Sequence, residues 1–177
     1  KEIANKMEIL SPIEKKTDVI FFYDGFGLNS RGLAQIYIKA LCQIKKVIYI
    51  TYEDCKENIP DIQNIINKND GRILYINRSQ KKYTEQILQL CSFASEFKPH
   101  DFFFYSFPND VVGVTSLNIL EGKVTRYQIN LTDHAFWLGA RCIDKCIEFR
   151  DYGANVSVKY RGISKNIIAK LPFYPII

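Results

Sequence analysis

No apolar run in this sequence approaches the roughly 18 residues that would cross a bilayer; the longest, residues 19–23 and 102–105, are strand-sized. A membrane span is excluded. Cysteine is sparse and unpaired: five residues, at 42, 55, 91, 142 and 146, with no paired spacing. That pattern argues against a disulfide framework and for a reducing compartment. Cys142 and Cys146 lack the matching Cys or His pair that a zinc site requires. A dominant charge is missing too, since Lys and Arg total 24 against 19 Asp and Glu, a scattered net of +5. Nucleic-acid binders concentrate positive charge on one face, so no specific nucleic-acid partner is expected; weak association with an anionic membrane surface stays open. There is no internal repeat and no low-complexity linker. No secretory signal accompanies the Asn-x-Ser/Thr sequons at Asn77, Asn130 and Asn155, so they carry little weight.

What is present suits a globular domain. The 177 residues are 47% hydrophobic and 14% aromatic, enough for one sizeable core. The chain opens on Lys1 and closes on the apolar residues 173–177, which suggests a piece of a longer protein.

Apolar, β-branched and aromatic runs alternate with helical stripes. Strands are expected at residues 18–23, 47–52, 73–76, 102–105 and 124–131, with a short sixth at 143–149. Between them, Leu33, Ile36, Tyr37, Ala40, Leu41 and Ile44 share one helical face, Pro60 suits the first turn of a helix whose apolar face is Ile59, Ile62, Ile65 and Ile66, and Ile87 to Phe97 stripe a third. A fourth helix is expected at 111–120 and a small one near 150–154. This alternation predicts a Rossmann-like α/β three-layer sandwich, mainly parallel, of about six strands, with residues 1–177 forming a single domain.

Ligands in such folds sit beyond the C-terminal strand ends, so three loops matter. After strand one comes Asp24-Gly25-Phe26-Gly27-Leu28-Asn29-Ser30-Arg31-Gly32, whose glycines suit a close backbone approach to a ligand. Gly25-x-Gly27-x-x-Ser30, with Glu53 after strand two, partly matches a dinucleotide fingerprint; a structural turn is the competing reading. After strand four, Ser106 to Asp110 are suited to capping a helix. After strand five, Thr132-Asp133-His134-Ala135-Phe136-Trp137-Leu138-Gly139 holds one of two histidines and the only tryptophan. His134 is a candidate base with Asp133 as its orienting carboxylate, and Trp137 a flat wall on which a sugar stacks. Arg161 is a candidate to pin a carboxylate or phosphate.

The segments from Asp24 to Leu33, from Asp133 to Gly139, Phe149-Arg-Asp-Tyr-Gly, and Arg161-Gly-Ile through Leu171-Pro-Phe-Tyr-Pro resemble the N-terminal half of GT-B glycosyltransferases. In that family two Rossmann-like domains face each other, the N-terminal one holding the acceptor and the C-terminal one the nucleotide-sugar donor. This sequence has no room for the second. The resemblance implies catalytic roles for His134 and Asp133 beside the acceptor hydroxyl, and substrate binding by Gly25, Phe26, Gly27, Asn29, Trp137 and Arg161. It implies a cytoplasmic enzyme of bacterial type with no metal or other cofactor. The alternative is a stand-alone nucleotide- or dinucleotide-binding module without transferase chemistry.

Overall fold

The computed structural model describes residues 16–30, 32–78 and 82–171. One all-parallel sheet contains β1 (Val19–Asp24), β2 (Lys46–Tyr52), β3 (Arg72–Ile76), β4 (Asp101–Tyr105), β5 (Thr125–Ile129), β6 (Lys145–Glu148) and β7 (Ile168–Lys170). Its order is β3-β2-β1-β4-β5-β6-β7. Among the described residues there are five α-helices: α1 (Ala34–Cys42), α2 (Pro60–Lys68), α3 (Tyr83–Phe97), α4 (Val111–Ile119) and α5 (Asp151–Arg161). The architecture is the Rossmann-like sandwich the alternation implies, with seven strands where about six are expected. The extra strand, β7, is three residues long and only half-buried at Ile168, too short to leave a periodic signal. Strand β5 stops at Ile129, and α5 runs to Arg161 where a single turn is expected.

Burial on both faces explains the continuous apolar strands. Phe21, Tyr23, Ile48, Ile50, Phe102 and Phe104 pack with Leu90 and Ala94 of α3 and Leu117 of α4 on one face. Ile20, Phe22, Tyr49, Phe103 and Tyr105 pack with Ile38 of α1 and Ile62 and Ile66 of α2 on the other. Helix starts follow local chemistry. Pro60 stands in the first turn of α2, where its missing N–H costs nothing. Asp110 caps α4 by accepting from the Gly113 amide, the role expected for that loop. Among the described residues no helix is long and apolar enough to cross a membrane, and all five cysteines are free thiols.

Strand order reverses at β1, whose neighbours are β2 and β4. The loops after β1 and β4 therefore diverge, opening the crevice in which such sheets place ligands.

Candidate functional site

The loop after β1 closes on its own chain. Asp24 is fully buried; its Oδ1 accepts from the amides of Phe26 (2.9 Å) and Gly27 (3.0 Å), and its Oδ2 from the Tyr49 hydroxyl (2.7 Å). Burial raises its pKa to about 6, against the lowering effect of those hydrogen bonds. Gly27 has φ +59°, and a Cβ there would lie 2.3 Å from Cys55 Sγ. A Cβ on Gly25 would overlap the Ser106 side chain. Both glycines thus permit close packing within the protein. Asn29 is likewise engaged: its Oδ1 accepts from the Asp61 and Ile62 amides at the start of α2, and its Nδ2 donates to Asp61. Of the candidates in this loop, Phe26 lines a cavity, packing on Phe107 at 4.2 Å between ring centroids, and Gly25 borders a second recess beside Tyr52 and Arg78.

The loop after β5 is built differently. Arg161, at the end of α5, donates through Nη2 to the carbonyls of Thr132 (2.6 Å), Asp133 (3.1 Å) and Ala135 (2.7 Å). Its Nη1 donates to Ser157 Oγ, and Ser157 donates in turn to Glu148 Oε1 at 2.5 Å. Glu148 is fully buried at the end of β6 and also accepts from Asn130 Nδ2 through both oxygens. Burial lowers the pKa of Arg161, with the Glu148 charge opposing the shift. Arg161 is therefore a clamp on the loop backbone. Asp133 is engaged elsewhere. Its carboxylate is paired with Arg150, through Nε at 2.7 Å and through Nη2, and does not orient His134.

Two recesses result. In the outer groove, of about 330 Å³, exposed His134 stands among Phe136, Tyr152, Val156 and Tyr160. His134 makes no side-chain hydrogen bond among the described residues, and Phe136, Tyr152 and Tyr160 are 82%, 63% and 72% exposed. The inner cavity, of about 170 Å³, lies between the ends of β4 and β5 and the β1 loop, with Phe26, Ser106, Gln128, Asn130 and Trp137 among its lining. Trp137 is buried, and Arg161 lies 5.4 Å from its ring centroid. No family model, curated protein or solved structure matches this chain. What the site does rests on its own chemistry.

The candidates thus sort into Asp133, His134 and Arg161 around the groove, Phe26 and Trp137 in the cavity, and Gly25, Gly27 and Asn29 holding the fold. Sequence reasoning missed Gln128, Asn130, Glu148 and Ser157. Their signal is the run Arg126-x-Gln128-x-Asn130, in which polar residues at strand spacing turn to the buried face. Arg126 is held there by Asp144, with Nε and Nη2 each at 2.9 Å from the carboxylate. The Leu171-Pro-x-Tyr-Pro segment lies, after Leu171, outside the described residues.

Proposed function

We propose that this chain is the acceptor-side domain of a GT-B-like glycosyltransferase, acting in the cytoplasm with a second domain that binds the nucleotide-sugar donor. The observation that carries the reading is His134. It is exposed at the C-terminal edge of the sheet, without a side-chain hydrogen bond among the described residues, on a loop whose backbone Arg161 pins at three carbonyls. An imidazole so placed is free to accept a proton from an incoming hydroxyl, and the adjacent aromatic rings offer apolar faces to the acceptor. With Asp133 committed to Arg150, His134 acts without a carboxylate behind it, and positioning comes from the backbone clamp. The Rossmann-like fold and the segments that resemble the family support the same reading, and the free thiols support a reducing compartment.

The test is transfer by the intact protein that carries this chain, read as nucleoside diphosphate release from a panel of nucleotide sugars. His134→Ala should lower turnover by about 10²- to 10⁴-fold, the usual scale for general acid–base help. The melting temperature should stay unchanged, because the side chain is exposed. Turnover near the original in that variant would remove His134 from the mechanism and the reading with it.

A further inference from the structure

Helix α5 presents an unusual flank beside His134. Gly153 and Ser157 turn toward the sheet and are buried, which by helical spacing leaves Tyr152, Val156, Lys159 and Tyr160 together on the outer side. Phe136, in the loop after β5, lines the same groove as Tyr152 and Tyr160. An exposed ring is ordinary singly. Three around one groove, at 82%, 63% and 72% exposure, form an apolar patch of the kind that marks an interaction surface. Sites for small ligands enclose most of the molecule they hold; rings this open suit a broad partner instead.

Charge indicates which partner. Residues 133–170 contain four carboxylates, and each is engaged: Asp133 with Arg150, Asp144 with Arg126, Glu148 with Asn130 and Ser157, and Asp151 with Lys170. The same stretch has seven Lys and Arg, of which Arg141, Lys145, Lys159 and Lys165 have no carboxylate partner among the described residues. Lys159 stands within the patch, its ammonium 5.1 Å from the Tyr160 ring centroid, and the Arg150 guanidinium lies 5.8 Å from that of Tyr152. Arg150 reaches solvent at 69% exposure while the Asp133 side chain beneath it is 11% exposed, so the outward charge there is positive. Aromatic rings beside cations on an open helix flank are the pattern of a surface that rests on a bilayer, the rings entering the headgroup layer and the cations meeting anionic lipid. We infer that this flank docks on an anionic lipid bilayer without spanning it. The chemical consequence rests on the transferase reading: an acceptor that reaches His134 from this side is a lipid-linked molecule displayed at the bilayer surface.

The test is co-sedimentation of the intact protein with vesicles of phosphatidylcholine, alone or with about 30 mol% phosphatidylglycerol. The anionic vesicles should bind at least about tenfold more tightly, and raising salt from about 0.05 M to about 0.5 M should weaken that binding several-fold. Phe136→Ser, Tyr160→Ser and Lys159→Glu should each lower the partition coefficient by about threefold or more. Tyr83→Ser removes an equally open ring, 67% exposed, at the start of α3, which follows β3 at the far edge of the sheet; it should bind as the original does. All four side chains are exposed, so the melting temperatures should match, and a variant that fails to fold leaves the others to decide. Vesicle binding with no transfer from any nucleotide sugar would uphold docking and remove the transferase reading. Transfer to a soluble acceptor with no vesicle binding would do the reverse. Docking is also overturned by equal binding to both vesicle types, or by a loss in Tyr83→Ser as large as that in Phe136→Ser. Self-association abolished by Phe136→Ser, in place of vesicle binding, would assign the flank to a second copy of this chain and overturn it too.

Discussion

Strands β1, β2 and β4 are buried on both faces by apolar and aromatic side chains, whereas β5, the residue directly after it (Asn130) and β6 carry Arg126, Gln128, Asn130 and Glu148 into the interior on one face. The two halves of one sheet thus do different work. In the first, Phe22 lies flat against Tyr49 and tilts against Tyr105, at centroid distances of 6.1 and 5.9 Å, and burial of such surface is the main source of stability. In the second, each polar side chain answers a particular partner: Arg126 to Asp144, Asn130 to Glu148, Glu148 to Ser157, Ser157 to Arg161. Such a chain adds little net free energy, because each group also gives up water, but it specifies geometry closely. The geometry it specifies is that of the loop bearing His134.

If the division holds, truncation in the apolar half should be the most damaging single change. Phe22→Ala removes a fully buried ring between two aromatic neighbours and should cost about 3–5 kcal/mol, measured by urea unfolding followed by circular dichroism. A loss under about 1 kcal/mol would mean that the core repacks freely around the gap, and the apolar half would lose its distinction.

Asp24 is the exception within that half, a buried carboxylate among aromatic rings, and it makes the comparison sharper through pH. Its folded-state pKa of about 6 lies above the ordinary 3.8, so the folded protein holds a proton that the unfolded chain releases. The contribution of this group is therefore greatest below about pH 3.8 and is lost as pH rises through about 6; the difference is about 3 kcal/mol. Asp24→Asn does not titrate and leaves an oxygen for the Phe26 and Gly27 amides. Relative to that variant, the original protein should lose about 2 kcal/mol between pH 4 and pH 7 in parallel denaturation series. A difference that stays constant with pH would show that burial does not control this carboxyl. Asp144 supplies the opposite sign: the Arg126 guanidinium lowers its pKa, so its contribution fades only below about pH 4 and leaves the Asp24 window clear.

The same division explains what was legible in the sequence. Residues of β1, β2 and β4 announce themselves because burial on both faces demands unbroken apolar runs, and the helices beside them show a regular stripe. The loop after β5 was legible through its rare residues, His134 and Trp137. Its support was not, because Arg126, Gln128 and Asn130 in a strand read as solvent-facing until Asp144 and Glu148, 18 residues further along in each pairing, are brought beside Arg126 and Asn130. Partner identity at that separation is a property of the fold. Arg161 shows the same limit, since an arginine in sequence does not reveal whether its fork meets an anion or three carbonyls of its own chain. Gly25 and Gly27 were legible as a turn, but whether the space beside them belongs to a ligand or to Ser106 and Cys55 depends on the strand order.

Arg161 offers the smallest expected effect on stability and the most direct test of what the polar half is for. Its three carbonyl partners lie on a loop that is only partly buried, at Thr132, Asp133 and Ala135, so water can replace the guanidinium once it is gone. Arg161→Met keeps much of the side chain's apolar stem against Trp137 and removes the hydrogen bonds. Global stability should fall by no more than about 1–2 kcal/mol, well short of the Phe22→Ala loss. The local consequence should be larger: amide exchange across residues 132–138 should quicken while exchange in β1 and β4 stays as slow as before. A loosened backbone would also let His134 leave its position; if His134 acts as proposed, turnover in the intact protein should drop even though the imidazole is untouched. Should Arg161→Met instead unfold the whole domain, the clamp would be part of the common core, and the two halves of the sheet would form one cooperative unit. Unchanged exchange in the loop would mean that Arg161 does not hold it, and the positioning of His134 would need another source.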